Sequence, residues 1–241
     1  MDLRIAHLYP DLMSIYGDRG NVIALSQRAR WRGIDVEVRP YTVGSAFDAA
    51  WPDLWFFGGG QDQGQDVVGA DLQGPHGESL RRSIEGGAAA LSICGGYQLL
   101  GHEYLPDDAP PIPGVGVMDV RTTAGKKRWV GNLLVESEHG TLVGFENHSG
   151  RTYLGPLARP LGRVLVGGGN NGEDRTEGAI QGRTIGCYLH GSLLPKNPRL
   201  ADLLITWALE RRHGSVRLRA LDDSLELAAH AQATEVARSR P

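Results

Sequence analysis

The chain has 241 residues, 41% of them hydrophobic, and a net charge of −3. That length and apolar content suit a large core, while mild acidity with only 7% aromatics leaves no electrostatic footprint for nucleic acid. No stretch approaches the roughly 20 apolar residues of a membrane span, and the opening MDLRIAHLYP lacks the apolar core of a signal peptide. The expectation is a cytoplasmic protein without membrane insertion, in which Cys94 and Cys187 are free thiols.

Residues 3–8 read as a short apolar strand ended by Pro10, and residues 21–32 as a helix stopped by Gly33. A second strand alternates over 34–38. The run 53–57 is apolar throughout and stops at Gly58-Gly59-Gly60, the pattern of a buried parallel strand followed by a loop. A helix over 78–85, a buried strand over 88–93 and a turn into another helix follow. Strands alternating with helices predict an α/β fold with a mostly parallel sheet. After the Pro-rich segment 107–113 the texture changes. Short strand-like runs at 116–121, 128–136, 141–146 and 163–166 predict additional strands, antiparallel in part. A strand over 184–189 and a helix over 198–212 complete a domain spanning 1–212. Residues 213–241 read as a C-terminal helical extension, with a helix over 218–237 and a frayed tail.

The segment Ala90-Leu-Ser-Ile-Cys94-Gly-Gly carries the chemistry. An apolar strand delivers a cysteine to a sharp turn, and a helix begins at once, as in the nucleophile elbow of serine hydrolases. A helix N-terminus favours the thiolate, and the N–H of Gly95 is placed to bind an oxyanion. Cys187, in mid-strand, reads as core. A cysteine nucleophile needs a base. Of the eight histidines, His190 ends an apolar strand and precedes Gly191, the position at which open α/β sheets gather function. His7 and His102 read as structural.

These residues resemble the class I, triad-type glutamine amidotransferases, in the CobB/CobQ-like branch. The resemblance rests on Phe57-Gly58-Gly59-Gly60-Gln61-Asp62, Ser92-Ile-Cys94-Gly-Gly-Tyr-Gln98, Gly169-Asn-Asn-Gly-Glu173 with Glu177-Gly178, and Tyr188-Leu-His190-Gly followed by Leu194-Pro-Lys-Asn-Pro198. Four motifs in family order are far more specific than one. Within the branch, Tyr16-Gly-Asp18-Arg-Gly-Asn21 and Glu146-Asn-His148-Ser-Gly-Arg-Thr resemble the glutaminase subunits of lipid II isoglutaminyl synthases.

The resemblance implies a flavodoxin-like fold and a glutaminase reaction on L-glutamine. Cys94 and His190 would be catalytic, and Gly59 and Gly95 would form the oxyanion hole. Gln98, Arg128 and a turn of Asn147, His148 and Ser149 would bind glutamine. Arg128 could clamp the carboxylate bidentately or be an ordinary surface arginine beside Lys126 and Lys127. Many triad amidotransferases carry Glu two residues after the histidine, where this chain has Ser192. Asp18, Glu173, Glu177 or a carboxylate from a partner could orient His190 instead, although turn or cap chemistry would also explain the three acids. No metal site is expected and no G-x-x-x-x-G-K-[ST] occurs, so no cofactor is expected on this chain. ATP and Mg²⁺ are expected on a Mur-ligase-like synthetase subunit, in a heterodimer that amidates D-glutamate of lipid II. A corrinoid amidating system, a cysteine hydrolase of γ-glutamyl bonds and a non-catalytic scaffold are the competing readings.

Overall fold

The computed structural model describes residues 1–240. In chain order the elements are β1 (Asp2–Leu8), α1 (Arg19–Arg30), β2 (Asp35–Tyr41), β3 (Leu54–Phe57), α2 (Asp62–Asp71), α3 (Pro75–Glu85), β4 (Ala89–Ile93), α4 (Gly95–Leu100), β5 (Glu103–Leu105), β6 (Ile112–Pro113), β7 (Val120–Ser137), β8 (Gly140–Leu154), β9 (Gly162–Val166), β10 (Thr176–Glu177), β11 (Ala179–Gln181), β12 (Thr184–Cys187), α5 (Leu193–Lys196), α6 (Pro198–His213) and α7 (Ser224–Ser239).

The central sheet has the order β11-β12-β4-β3-β1-β2. All its pairings are parallel except β11 with β12. β3 and β4 are buried at every position, which is why their sequences are continuous apolar runs rather than alternating ones. The order reverses between β1 and β3, the kind of switch point at which doubly wound sheets open a crevice. The chain leaves β1, β3, β4 and β12 at the same sheet end. This is the expected α/β fold with a flavodoxin-like central sheet.

A second sheet, β10-β9-β7-β5-β6 with β8 paired to β7, supplies the additional antiparallel strands. Here the sequence reading is corrected. Of the run at 116–121 only residues 120–121 are strand, at the start of β7, and the runs at 128–136 and 141–146 are parts of two long strands joined as a hairpin. Glycines that read as breaks lie inside them. Gly150 is required by close approach, because a methyl group there would meet Gln98 Nε2 at 2.5 Å and Tyr188 Oη at 2.8 Å. The β7–β8 register shifts between Ala124 and Trp129, so residues 125–128 bulge opposite Ser149. Helix α2, broken up in sequence by Gly64 and Gly69, carries no strong periodicity and was not expected.

The tail expected to fray is helical through Ser239, because Ala237 is fully buried against Leu134 and Val143 of the hairpin. The start of α7 is held by charge. Arg28, almost wholly buried on α1, donates to both carboxylate oxygens of Asp202 at 2.8 Å and to Asp223 at 2.6 and 3.1 Å. Arg32 adds a 2.7 Å bond to Asp202. Truncating one member of such a pair leaves carboxylates without their counter-charge. Arg28→Ala is therefore expected to cost about 2–4 kcal/mol and to speed amide exchange in α7 selectively. Urea unfolding with hydrogen exchange checks both, and an unaltered exchange pattern would contradict the assignment.

Candidate active site

Cys94 stands between β4 and α4 with φ 49° and ψ −107°. Few non-glycine residues take a positive φ, and such strain gathers at functional turns. Its neighbours must be glycines for steric reasons. A methyl group at Gly96 would lie 2.7 Å from the Phe57 and Gly58 carbonyl oxygens, and one at Gly95 would lie 2.8 Å from Gln65 Nε2. The Cys94 N–H is tied to the Cys187 carbonyl at 2.8 Å, while Cys187 itself is buried core. The first N–H groups of α4, beginning at Gly95, have no acceptor within the helix.

His190 follows β12 and pairs with Phe145 of the hairpin through two backbone hydrogen bonds, at 2.7 and 3.2 Å. Its ring is fully buried, with Nδ1 3.2 Å from Asp18 Oδ1. Asp18 is also fully buried. It occupies the N-cap position of α1 but makes no side-chain cap bond. Its other oxygen, Oδ2, accepts the Gly59 N–H at 2.8 Å. The three groups converge on one point: a methyl group at Gly59 would meet His190 Cε1 at 2.7 Å, Asp18 Oδ2 at 3.2 Å and Cys94 Cβ at 3.3 Å. Burial alone pushes the imidazole down. The charge on Cys94, the Asp18 bond and contact with Cys94 outweigh it and hold His190 up to about 10. A cation beside sulfur is the setting in which cysteine works as a nucleophile.

A cavity of about 420 Å³ opens onto Cys94, and Gln98, Arg128, Asn147, His148 and Ser149 all line it. Arg128 lies in the bulge, exposed, with Nε donating to Asn147 Oδ1 at 2.7 Å. The residues 147–149 belong to β8 and are not a turn, since the hairpin continues through them. Gln98 has both ends of its amide engaged: Oε1 accepts from Gln65 at 2.7 Å and Nε2 donates to Tyr188 Oη at 3.1 Å. The His148 ring is stacked on Tyr188 with centroids 3.6 Å apart, and burial holds its pKa below the usual value.

Comparison with known proteins decides what this site belongs to. A family model for the CobB/CobQ-like glutamine amidotransferase domain matches residues 4–198. The chain belongs to the CobB/CobQ-like glutamine amidotransferases. It is an enzyme with glutamine amidotransferase activity. Among its relatives, subunit GatD of the glutamine-hydrolysing lipid II isoglutaminyl synthase of Staphylococcus aureus is 40% identical over 95% of this chain and 93% of its own length. The Streptococcus pneumoniae GatD is 40% identical over 92% and 87%. The cobyric acid synthase of Limosilactobacillus reuteri is 31% identical over 65% of this chain but only 32% of its own length. Among solved structures, a crystal structure of a glutamine amidotransferase aligns with TM-score 0.57 at 16% identity over 84% of this chain and 98% of its own. The glutaminase domain of Trypanosoma brucei CTPS aligns with TM-score 0.55 at 9% identity, covering 90% and 96%. At such identities they show the fold.

In this amidotransferase the remaining expected residues fall unevenly. Glu173 is exposed on the second sheet's loop, where its carboxylate accepts from Tyr153 Oη at 3.3 Å and its N–H donates to Asn171 Oδ1 at 2.9 Å. Turn chemistry accounts for it, and it does not meet His190. Glu177 is fully buried and spends Oε1 on the Tyr188 N–H at 2.7 Å, where the chain has just left the β12 ladder. It holds the backbone two residues before His190 and does not bond the ring. Gly59 also departs from expectation, because its N–H is occupied by Asp18. Ser192, in place of the family's glutamate, has φ 52° and bonds the Gly17 carbonyl at 2.6 Å, fastening the loop after His190 to the loop before Asp18. Sequence reasoning missed Gln65 and gave Tyr16, although quoted within a motif, no role. Gln65 lay in the unforeseen α2, and Tyr16 sets its ring edge-on to His190 with centroids 5.2 Å apart.

Glu177 carries a pH signature. Burial raises its carboxyl from 4.5 to about 8. The folded chain thus keeps a proton that the unfolded chain has already lost. The resulting stability is complete below pH 4.5 and is lost as pH rises through 8. Glu177→Gln retains an acceptor for Tyr188 and cannot ionise. Its unfolding free energy should match the parent's near pH 4 and exceed it near pH 9 in urea titrations, whereas parallel pH curves would contradict the assignment.

Proposed function

We propose that this chain is the cytoplasmic glutaminase subunit of a two-subunit lipid II isoglutaminyl synthase. It hydrolyses L-glutamine and passes ammonia to a Mur-ligase-like partner, which uses ATP and Mg²⁺ to amidate D-glutamate in the peptidoglycan precursor. The observation that carries this reading is the end-to-end match to two GatD subunits, against a match to about a third of a cobyric acid synthase. A corrinoid amidating role has no comparable support.

The site suggests how the reaction runs. Arg128, with Asn147 and Ser149, faces the cavity as a clamp for the α-carboxylate of glutamine. Gln98, held by Gln65 and Tyr188, shapes the cavity wall instead of gripping substrate. Cys94 Sγ attacks the side-chain amide carbon, and negative charge develops on the carbonyl oxygen. The Gly95 N–H meets that charge, and the Gly59 N–H joins it once Asp18 releases the bond. His190 gives its proton to the departing nitrogen, ammonia leaves, and a glutamyl thioester remains. Water, deprotonated by His190, then cleaves the thioester to glutamate and restores the thiol. Asp18 keeps the imidazole oriented by holding Nδ1.

With the partner present, Cys94→Ala is expected to abolish amidation of lipid II driven by glutamine while leaving amidation driven by ammonium intact. Full glutamine-driven activity in that variant would overturn the reading. Asp18→Asn should lower kcat for glutamine hydrolysis by roughly 10²-fold or more with little change in KM. Arg128→Ala should chiefly raise KM. Steady-state glutamate release separates the two.

A further inference from the structure

A groove of about 430 Å³ runs between α1 and α7, walled by Gly20, Ile23, Trp31, Leu194, Pro195 and Leu225. Ile23 is 58% exposed, Trp31 48% and Leu225 77%. Single exposed apolar side chains are ordinary, but several gathered on one concavity mark an interaction surface. Ile23 on α1 and Trp31 at its C-cap lie on one side of the helix, about two turns apart. The groove is pre-formed, because the buried Arg28 ties α1 to Asp202 of α6 and to Asp223 at the start of α7.

Its position is informative. Gly20 lies two residues after Asp18 and packs directly on Ser192, two residues after His190. Leu194 and Pro195 belong to α5, the short helix that starts just after Ser192. Beyond them, Lys196 is partly buried and its amine has no carboxylate partner among the described residues. That amine lies within 3.3 Å of where a side chain at Gly191 would begin, and burial lowers its pKa. A half-buried cation without a counter-charge, one residue beyond the groove's Pro195 and near Gly191, defines the complement this face needs: an apolar anchor with an acidic neighbour.

We propose that this groove is the seat of the synthetase subunit, which inserts an apolar anchor between α1 and α7 and sets a carboxylate against Lys196. The proposal rests on the two-subunit reading above. Ammonia can pass protected only if the partner closes over the Cys94 and His190 end of the sheet, and this groove adjoins that end through Gly20 and Ser192.

The test uses the full chain with its co-expressed synthetase and measures Kd by titration. Ile23→Glu, Trp31→Glu and Leu225→Glu are each expected to weaken binding tenfold or more, in the range of truncated interface anchors. Leu157→Glu, at an exposed leucine 74% accessible outside the groove, should not. Lys196→Glu should weaken binding and Lys196→Arg should preserve it. Melting curves establish that each variant is folded, and glutamine hydrolysis by the isolated chain should be unchanged in Ile23→Glu and Leu225→Glu. Groove variants that bind as the parent does, while glutamine-driven amidation proceeds, overturn the docking site and leave the functional reading standing. A homodimer of the chain alone that Ile23→Glu dissolves assigns the groove to a second copy and overturns the proposal. Failure of the parent chain both to bind and to support amidation overturns the two-subunit reading, and the docking site with it.

Discussion

One buried carboxylate organises this molecule. Asp18 places its two oxygens on two different partners, the His190 imidazole and the Gly59 N–H, in a region without solvent access. A buried carboxylate is costly unless paired and hydrogen-bonded, so the elements bearing these partners cannot move independently. Space enforces the same arrangement, since a side chain at Gly59 would strike His190 and crowd Asp18 and Cys94. α1 gives up a side-chain cap to supply the carboxylate. The flanking backbone is correspondingly unusual: Tyr16 and Ser192 both adopt positive φ, and Ser192 bonds across to Gly17.

The second sheet is tied into this centre. The antiparallel bridge between Phe145 and His190 joins the hairpin to the end of β12. Deeper in the wall, Tyr188 Oη meets Thr152 at 2.7 Å and Gln98 at 3.1 Å, with His148 stacked on its ring. Glu146 accepts the N–H groups of Gly168 and Gly169 at 2.7 and 3.0 Å, which anchors the strand bearing Asn147 and His148. The substrate cavity therefore has one wall from each sheet, fixed to each other by hydrogen bonds. The bulge carrying Arg128 is exposed at the rim of this frame and lines the cavity.

The central sheet was legible because its signals are local. Apolar runs ending in glycine mark β3 and β4, and a cysteine between a strand and two glycines marks the elbow. His190 was legible for the same reason, as a histidine at a strand end. The hairpin was not, because Gly125, Gly131 and Gly150 look like breaks when read along the chain, although at Gly150 the glycine is required by close approach from another element. The orienting carboxylate had three candidates in this chain, besides one from a partner, and nothing local ranks Asp18 above Glu173 or Glu177. Its sequence context, GDRGN, suits an N-cap. The fact that its side chain turns away from that cap depends on His190, 172 residues distant. Gly59 illustrates the same limit: sequence can place its N–H near the nucleophile but cannot show that another carboxylate holds it.

That last contact bears on the proposed reaction. Orientation of His190 and donation by Gly59 draw on one carboxylate, and the second must end for the N–H to meet a developing oxyanion. Releasing it leaves Asp18 Oδ2 buried without a donor, which costs on the order of 1–3 kcal/mol or more for a charged group. No polar side chain other than His190 is bonded to Asp18 among the described residues, so compensation must come from a shift of the loop that bears it. That loop, residues 16–18, leads into α1, whose outer face forms one wall of the apolar groove. A load on α1 therefore reaches Asp18 through a single turn of helix, and through Gly20 and Ser192 it reaches the loop after His190. In the proposed complex, docking and oxyanion formation would be coupled by that short path, and glutamine would be hydrolysed fastest when the consumer of ammonia is in place.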